Sequence, residues 1–424
     1  MIIFVRNLFK RVMRKIIFTI FVLMCTLVVR AQYAVSHVKS VRTPVMVVND
    51  NWLAPAVIEL GGNDVIHFSF DEMSHVYHRY VCRITHHNAD GEKSDLSEID
   101  YLDGFNEFVI DDWENSHNTT QLYTHYAFDL PNEDVAFKVS GNYRVEVLDD
   151  EDDSDSPVLT YSFSVVEPMA DIQASVSGDT DRSYNEGEQQ LSFKVNFARC
   201  NISSPANELI PVVYKNRRCD DSVMAVQPTY VTGNEAEYIH NKSLIFEAGN
   251  EYRRFELTDP DSPGMNVEDV IFHDSAYHAL LYVDKPRVSY SNFIDENGRF
   301  YVNTLEGYGT PIEADYINVH FAIEMPYRSG GDYYISGDFC GNGYAEGNRL
   351  LYDANEGYYY TSHLLKTGVY NYQYVWLPYG AEEASVEFTE GNFYNTENEY
   401  LIYMYYREFG ARYDRLVGFL VVNN

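Results

Sequence analysis

Cysteine, tryptophan and basic residues are all scarce in this chain, and no stretch of it carries sustained helical periodicity. Five cysteines in 424 residues cannot form the framework of a disulfide scaffold. With 31 Lys and Arg against 64 Asp and Glu, the formal net charge is −33. That balance argues against nucleic acid as a partner, because affinity for phosphate backbones comes from cations that neutralise them. Direct docking onto anionic lipid is disfavoured for the same reason. Motifs of catalysis are missing too. The sequence has no nucleophile-elbow Ser, no paired-His zinc helix, no phosphate-cradling Gly loop with Lys and no Cys placed with a partner His. With so many carboxylates, acid pairs arise by chance, so no glycosidase-like pair is nominated. The reading is of a protein that is not an enzyme, with no catalytic, cofactor-binding or metal residue.

What is abundant is tyrosine, 37 of them, within a composition that is 45% hydrophobic and 15% aromatic. Such a chain folds into packed domains, and its length suits two to four. Arg6, Lys10, Arg11, Arg14 and Lys15 precede an apolar run over 16–29, too short to span a bilayer comfortably. Residues 1–31 therefore read as a secretory signal peptide, with cleavage after Ala31 or retention as an N-terminal anchor. Removing them takes away six basic residues and no acid, leaving 25 against 64 and a net charge of −39. An exported chain meets an oxidising compartment. Cys200 and Cys219 are near enough in sequence for a bridge, whereas Cys82 alternates with Tyr80 and Ile84 and reads as a buried thiol.

Beyond the signal, period-two alternation dominates, and the expected class is all-β, as tandem β-sandwiches. Strands are expected at 65–70, 76–84, 142–148, 158–166, 191–197, 277–284, 317–323, 369–376, 400–406 and 416–422. Breaks at Glu167-Pro168 and Lys285-Pro286 divide the chain into sandwiches over 32–168, 169–285 and 286–424. The first is immunoglobulin-like: Tyr143, just after Ser140-Gly141-Asn142, is placed like a tyrosine corner. The acidic run 149–155 reads as a solvated hairpin tip. Adjacent His86 and His87 point to opposite faces of a strand and cannot share a metal easily.

In the third unit, Tyr370, Tyr372, Tyr374 and Trp376 fall on one strand face. They are either sandwich core or, if open to solvent, a platform for a sugar ring or a partner protein. Ile335-Ser336-Gly337-Asp338-Phe339-Cys340-Gly341-Asn342, followed by Gly368-Val369-Tyr370-Asn371-Tyr372, resembles early-set sandwiches that include glycogen-binding modules. The Trp that those modules carry after the Phe is absent here. A carbohydrate-binding envelope protein is thus the alternative function.

Longer stretches resemble one family. These are Phe70-Asp71-Glu72; Tyr101-Leu102-Asp103-Gly104-Phe105; Ser116, Asn118 and Thr119; Tyr123, His125 and Tyr126; Pro131-Asn132; and Ser140-Gly141-Asn142-Tyr143. Near the far end come Thr396-Glu397-Asn398, Tyr405-Tyr406-Arg407 and Arg412-Tyr413-Asp414-Arg415. Together they resemble the plug protein of the type IX secretion system of Bacteroidetes. One departure is the segment His86-His87-Asn88-Ala89-Asp90, where the family has a Cys and a following Trp. The resemblance implies a periplasmic protein at the inner face of the outer membrane, whose partner is the translocon barrel and whose role is to close the barrel's periplasmic opening.

Overall fold

In the computed structural model, residues 33–152, 155–304 and 311–424 are described. The expected signal segment and residues 153–154 of the acidic run lie outside them. Strands dominate, as the alternation requires, and short α- or 3-10 turns make up the rest of the regular structure. Among the described residues no helix is long and apolar enough to cross a membrane.

The first lobe is a sandwich of two sheets. One orders Ala34–Ser36, Leu159–Val166, Gly141–Asp149, Tyr80–His87 and Glu107–Val109, with Val57–Glu59 joining in parallel. The other orders Val41–Val48, Ile66–Glu72, Thr124–Leu130 and Asp112–Asn115. Alternate residues of facing strands, among them Phe68, Phe70, Ile84, Val145 and Phe163, fill the space between. Each such side chain removed from water contributes roughly 1.5–3 kcal/mol. Tyr143 is a tyrosine corner in fact as well as in sequence, its hydroxyl donating to the Val139 carbonyl at 2.7 Å. Cys82 is fully buried in this core, which pushes its thiol well above the usual range.

The division expected for the other two units is corrected by the pairing. The second sandwich has one sheet of Asp171–Ser177, Glu188–Asn196, Glu235–Tyr238 and Tyr230–Thr232, with Ile245–Glu247 paired to Glu188–Asn196. Its other sheet orders Ser222–Met224, Leu209–Lys215, Glu399–Tyr406 and Arg415–Asn423. The last two strands of the chain therefore complete the second sandwich, not the third. Leu209–Lys215 pairs along its whole length with Glu399–Tyr406.

Between Glu247 and Glu399 the chain builds the third sandwich as an insertion. One of its sheets centres on Gly368–Pro378, flanked by Arg253–Leu257, Phe300–Val302 and Gly331–Ser336. The other orders Val267–His273, Ala276–Leu281, Tyr316–Glu324, Tyr358–Lys366 and Leu351–Asp353. The break placed at Lys285-Pro286 thus falls inside the third lobe, because Arg253–Leu257 and Ala276–Leu281 already belong to it.

Two points that the sequence left open, a platform on the aromatic face and a Cys200–Cys219 bridge, are both decided against here. Tyr370, Tyr372, Tyr374 and Trp376 are 1%, 2%, 0% and 5% exposed, packed against Phe255, Phe321 and Tyr333, so they form core and offer no platform. No disulfide joins Cys200 to Cys219. Cys200 follows the Glu188–Asn196 strand of one sheet and lies near the Met169 carbonyl. Cys219 occupies the connection between Leu209–Lys215 and Ser222–Met224 of the opposing sheet.

Candidate functional site

Glu399–Tyr406 is buried at every position. Tyr400, Ile402, Met404 and Tyr406 point into the second sandwich, while Leu401, Tyr403 and Tyr405 pack outward with Ala89, Val57 and Val166 of the first lobe. A strand apolar on both faces reads in sequence as an ordinary core strand; here it cements two lobes. The candidate functional site is this meeting of the lobes, where charged and polar side chains are taken out of water at every joint.

At the joint of first and third lobes, Asp71 stands opposite His125 on neighbouring strands, on the sheet face turned to the third lobe. Its carboxylate receives the Lys366 ammonium at 2.6 Å, the Tyr316 hydroxyl at 2.6 Å and His125 Nδ1 at 2.7 Å. Lys366 also reaches the Pro311 carbonyl and sits 4.2 Å from the centre of the Tyr123 ring. Burial on its own would raise the pKa of Asp71, but Lys366 and His125 outweigh it and hold the carboxyl below its usual value. Burial moves Lys366 downward more than Asp71 moves it up. The carboxylate, with three donors, is the better-stabilised ion of the pair. Tyr316, raised far above the normal phenol range by burial and by Asp71, stays a donor. Around this centre the hydroxyl of Tyr123 meets the Ala314 carbonyl at 2.8 Å. The backbone N–H and hydroxyl of Thr120 both donate to Asp315. Ser116 supports that loop by accepting from Thr119 and from the Tyr123 N–H, and Asn118 takes a left-handed backbone in it.

At the joint of second and third lobes, Glu399 lies between Arg299, at 2.5 Å, and Arg217, at 3.4 Å. Arg217 continues to the Leu53 carbonyl of the first lobe, so this cluster touches all three. Arg218 pairs with Asp220 at 2.6 Å, and Tyr344 of the third lobe donates to the same carboxylate. Asn398 bonds Gln189, Asn216 and the Ala248 carbonyl. Thr396 reaches the Gly249 carbonyl, and Glu397 N–H donates to Glu251.

At the joint of first and second lobes, Tyr405 donates to Asn142 Oδ1 at 2.7 Å, and Asn142 donates in turn to the Asn88 carbonyl. Asp414 accepts the Ala89 N–H and pairs with Arg407, Arg412 reaches Asp100, and Arg415 pairs with Glu167 at 2.6 Å. His86 is enclosed by Tyr101, Tyr143 and Tyr413 and bonds Ser94 and Ser140, not a metal. Gly141 is needed beside it, because a Cβ there would lie 2.3 Å from His86 Nε2. Among the described residues, no group of three or more His, Cys, Asp and Glu side chains is placed to hold a metal ion.

The motif residues therefore sort by position. Asp71, Ser116, Asn118, Thr119, Tyr123 and His125 serve the first–third joint, while Asn142, Tyr405, Arg407, Arg412, Tyr413, Asp414 and Arg415 serve the first–second joint. Tyr126, Pro131, Asn132, Ser140 and Tyr143 act within the first lobe, and Tyr406 caps the second by donating to the Asn201 carbonyl. Asn142 and Asn398, which read as turn residues, instead make long-range links: half-buried Asn142 reaches the second lobe through Tyr405, and buried Asn398 ties the two sheets of the second lobe together. Phe105 is the exception, 83% exposed beyond Gly104. Sequence reasoning missed Lys366, Tyr316, Asp315, Arg217, Arg299 and Glu399. A lone Lys after an apolar strand was the only visible hint for Lys366, and nothing local marks the others.

Residues 38–167 match the family described as the Type 9 secretion system plug protein 1st domain. Among curated proteins none matches. A crystal structure of a hypothetical protein from Parabacteroides merdae ATCC 43184 is 40% identical with a TM-score of 0.90. The match covers 92% of this chain and 99% of that one, so the similarity extends through all three lobes. The matched lobe carries the Asp71 and Tyr143 motifs, and this first lobe belongs to the family of type 9 secretion system plug protein first domains.

Proposed function

We propose that this chain works by contact, as a non-enzymatic periplasmic subunit that closes the periplasmic opening of the outer-membrane translocon barrel of the type IX system. The observation that carries the reading, alongside the family, is the fusion of three sandwiches into one body through buried charged joints. A cap over a wide opening must resist deformation. Three lobes linked by flexible connectors would yield, whereas lobes that share a core strand and buried ion pairs move together. The acidic balance favours a body that remains in solution and away from anionic lipid until it meets its partner. A stable contact of ordinary size would bury on the order of 1,200–2,000 Å², within reach of a single face of such a body.

The test is co-purification from detergent-solubilised outer membranes. The expected result is recovery of the translocon barrel with the tagged chain, and a rise in outer-membrane permeability on deletion in a strain lacking other gating subunits. A chain that never associates with the barrel, and whose loss leaves permeability unchanged, overturns the proposal.

A further inference from the structure

A cleft of about 240 Å³ opens between the first and second lobes. Its first-lobe wall is polar. Arg144 and Ser162 are paired across neighbouring strands, as are Asn142 and Ser164, and all four line the cleft. The second-lobe wall is aromatic: Tyr403 and Tyr405 lie nearly parallel, and Tyr214 stands edge-on to Tyr403 with ring centres 5.7 Å apart.

Arg144 is anomalous in this chain. The deeply buried guanidiniums of Arg217, Arg218, Arg253 and Arg299 each pair with a carboxylate. So does Arg83, which stands opposite Glu146 on the adjoining strand. Arg144 is half-buried, yet among the described residues its side chain makes neither an ion pair nor a hydrogen bond. Arg42 and Arg328 also lack a carboxylate, but Arg42 bonds the Lys39 carbonyl and Arg328 stacks over Phe388, so Arg144 is set apart by having neither kind of partner. The acids nearest in sequence position are Glu146, next along the same strand face, and Asp90, on the cleft's rim. His87, also in the lining, is lowered to about 4 by burial and is neutral at pH 7. Arg144 is thus the only cation among the described lining residues.

We infer that this cleft binds an organic carboxylate, whose oxygens take the Arg144 fork while an apolar or ring-shaped body lies against Tyr403, Tyr405 and Tyr214. A guanidinium presents parallel donors matched to a carboxylate, and the Ser162 hydroxyl beside it supplies a further donor. The volume is below that usual for drug-sized ligands, so the occupant is a small acid or the end of a larger molecule. The inference is independent of the plug reading, since it concerns a cleft between lobes of the isolated chain.

The test uses the full exported chain in calorimetric titration with N-acetyl-L-phenylalanine, its neutral primary amide and inorganic phosphate. The acid is expected to bind at least about tenfold more tightly than the amide. Arg144→Met should remove that preference, and it should leave the unfolding midpoint unchanged because the side chain has no partner to lose. Arg144→Lys keeps the charge without the fork and should fall between. A short peptide ending in phenylalanine, compared with its C-terminal amide, distinguishes a chain end from a free acid. No binding of any carboxylate at about 10 mM, equal binding of acid and amide, phosphate binding tighter than the acid, or an acid affinity unchanged in Arg144→Met would each overturn the inference.

Discussion

Replacing Asp71 with Asn tests whether the lobes are held by buried charge. The substitution keeps the shape of the side chain and removes its charge where exposure is 1%. The Lys366 ammonium, 2% exposed, then loses its counter-ion, and the amide must turn an N–H₂ group toward a donor: Lys366, Tyr316 or His125. Removing one partner of a buried ion pair costs about 3–5 kcal/mol. That is a large part of the 5–15 kcal/mol that holds an ordinary domain folded.

Urea unfolding of the exported chain should show the loss as a lowered midpoint. Small-angle scattering should show a larger radius of gyration if the third lobe detaches before it unfolds. Lys366→Met on its own should cost a similar amount, whereas the double variant removes both charges and should be less destabilised than the sum by about 1–3 kcal/mol. The pH dependence has a definite sign. Asp71 titrates below its unfolded value, so its contribution is present above about pH 4 and is lost as pH falls through the folded value. Asp71→Asn should lose less stability than the parent chain over that acid range, the remaining slope coming from other lowered carboxylates such as Asp220. A cost below about 1 kcal/mol for the single change, or additivity within about 0.5 kcal/mol in the cycle, refutes the reasoning.

Three other outcomes are expected. Glu399→Gln leaves Arg299 and Arg217 without their shared carboxylate, tempered by nearby Asp338, and should cost about 3 kcal/mol in urea unfolding; a change within error would show the pair to be dispensable. Gly104→Ala places a Cβ 1.7 Å from the Asp134 carbonyl at φ +106, so the short Leu102–Gly104 and Val135–Phe137 pair should open, with about 2 kcal/mol or more lost and faster amide exchange there. His86, His87 and His363 are each lowered to about 4, chiefly by burial, so the unfolded chain takes up protons first as pH falls from 6.5. Unfolding free energy should drop between pH 7 and pH 5 by about 2 kcal/mol per histidine, and a profile flat over that window would contradict their burial as neutral rings.

Period-two alternation was enough to place the clearest strands, with 76–84 found at Tyr80–His87, because it depends only on neighbours along the chain; Thr124–Leu130, Leu209–Lys215 and Tyr358–Lys366 were not among them. The tyrosine corner was legible for the same reason: a Gly turn and a Tyr at a fixed offset specify a local hydrogen bond, and Tyr143 makes it. Assembly of strands into sheets was not legible. Alternation records which residues share a face, and it is silent on whether that face meets its own sandwich or another lobe. Glu399–Tyr406 shows the consequence, since it reads as the late strand of a third unit and pairs instead with Leu209–Lys215. The face bearing Tyr370, Tyr372, Tyr374 and Trp376 posed the same ambiguity between core and platform, and burial decides it. The joints were half visible. Asp71, His125, Asn142 and Asp414 stood within recognisable strings, while their partners Lys366, Tyr316 and Tyr405's neighbours come from strands far away in sequence, where no local pattern marks a long-range ion pair.

The scarcity of Lys and Arg takes on a structural meaning at the joints. Lys215, Arg217, Arg218, Arg253, Arg299 and Lys366 are all buried. Each faces a carboxylate, and two of these pairs, Arg299–Glu399 and Lys366–Asp71, join one lobe to another. In a chain with few cations, those placed inside are withheld from the surface, whose character is then set by the remaining acids. The same choice that ties the lobes together therefore shapes what they can meet. A partner that covers this body must either supply positive charge or confine its contact to apolar side chains such as Phe105, and charge of that kind acts chiefly on the rate and selectivity of encounter. Rigidity within and acidity without are thus two consequences of one allocation of charge.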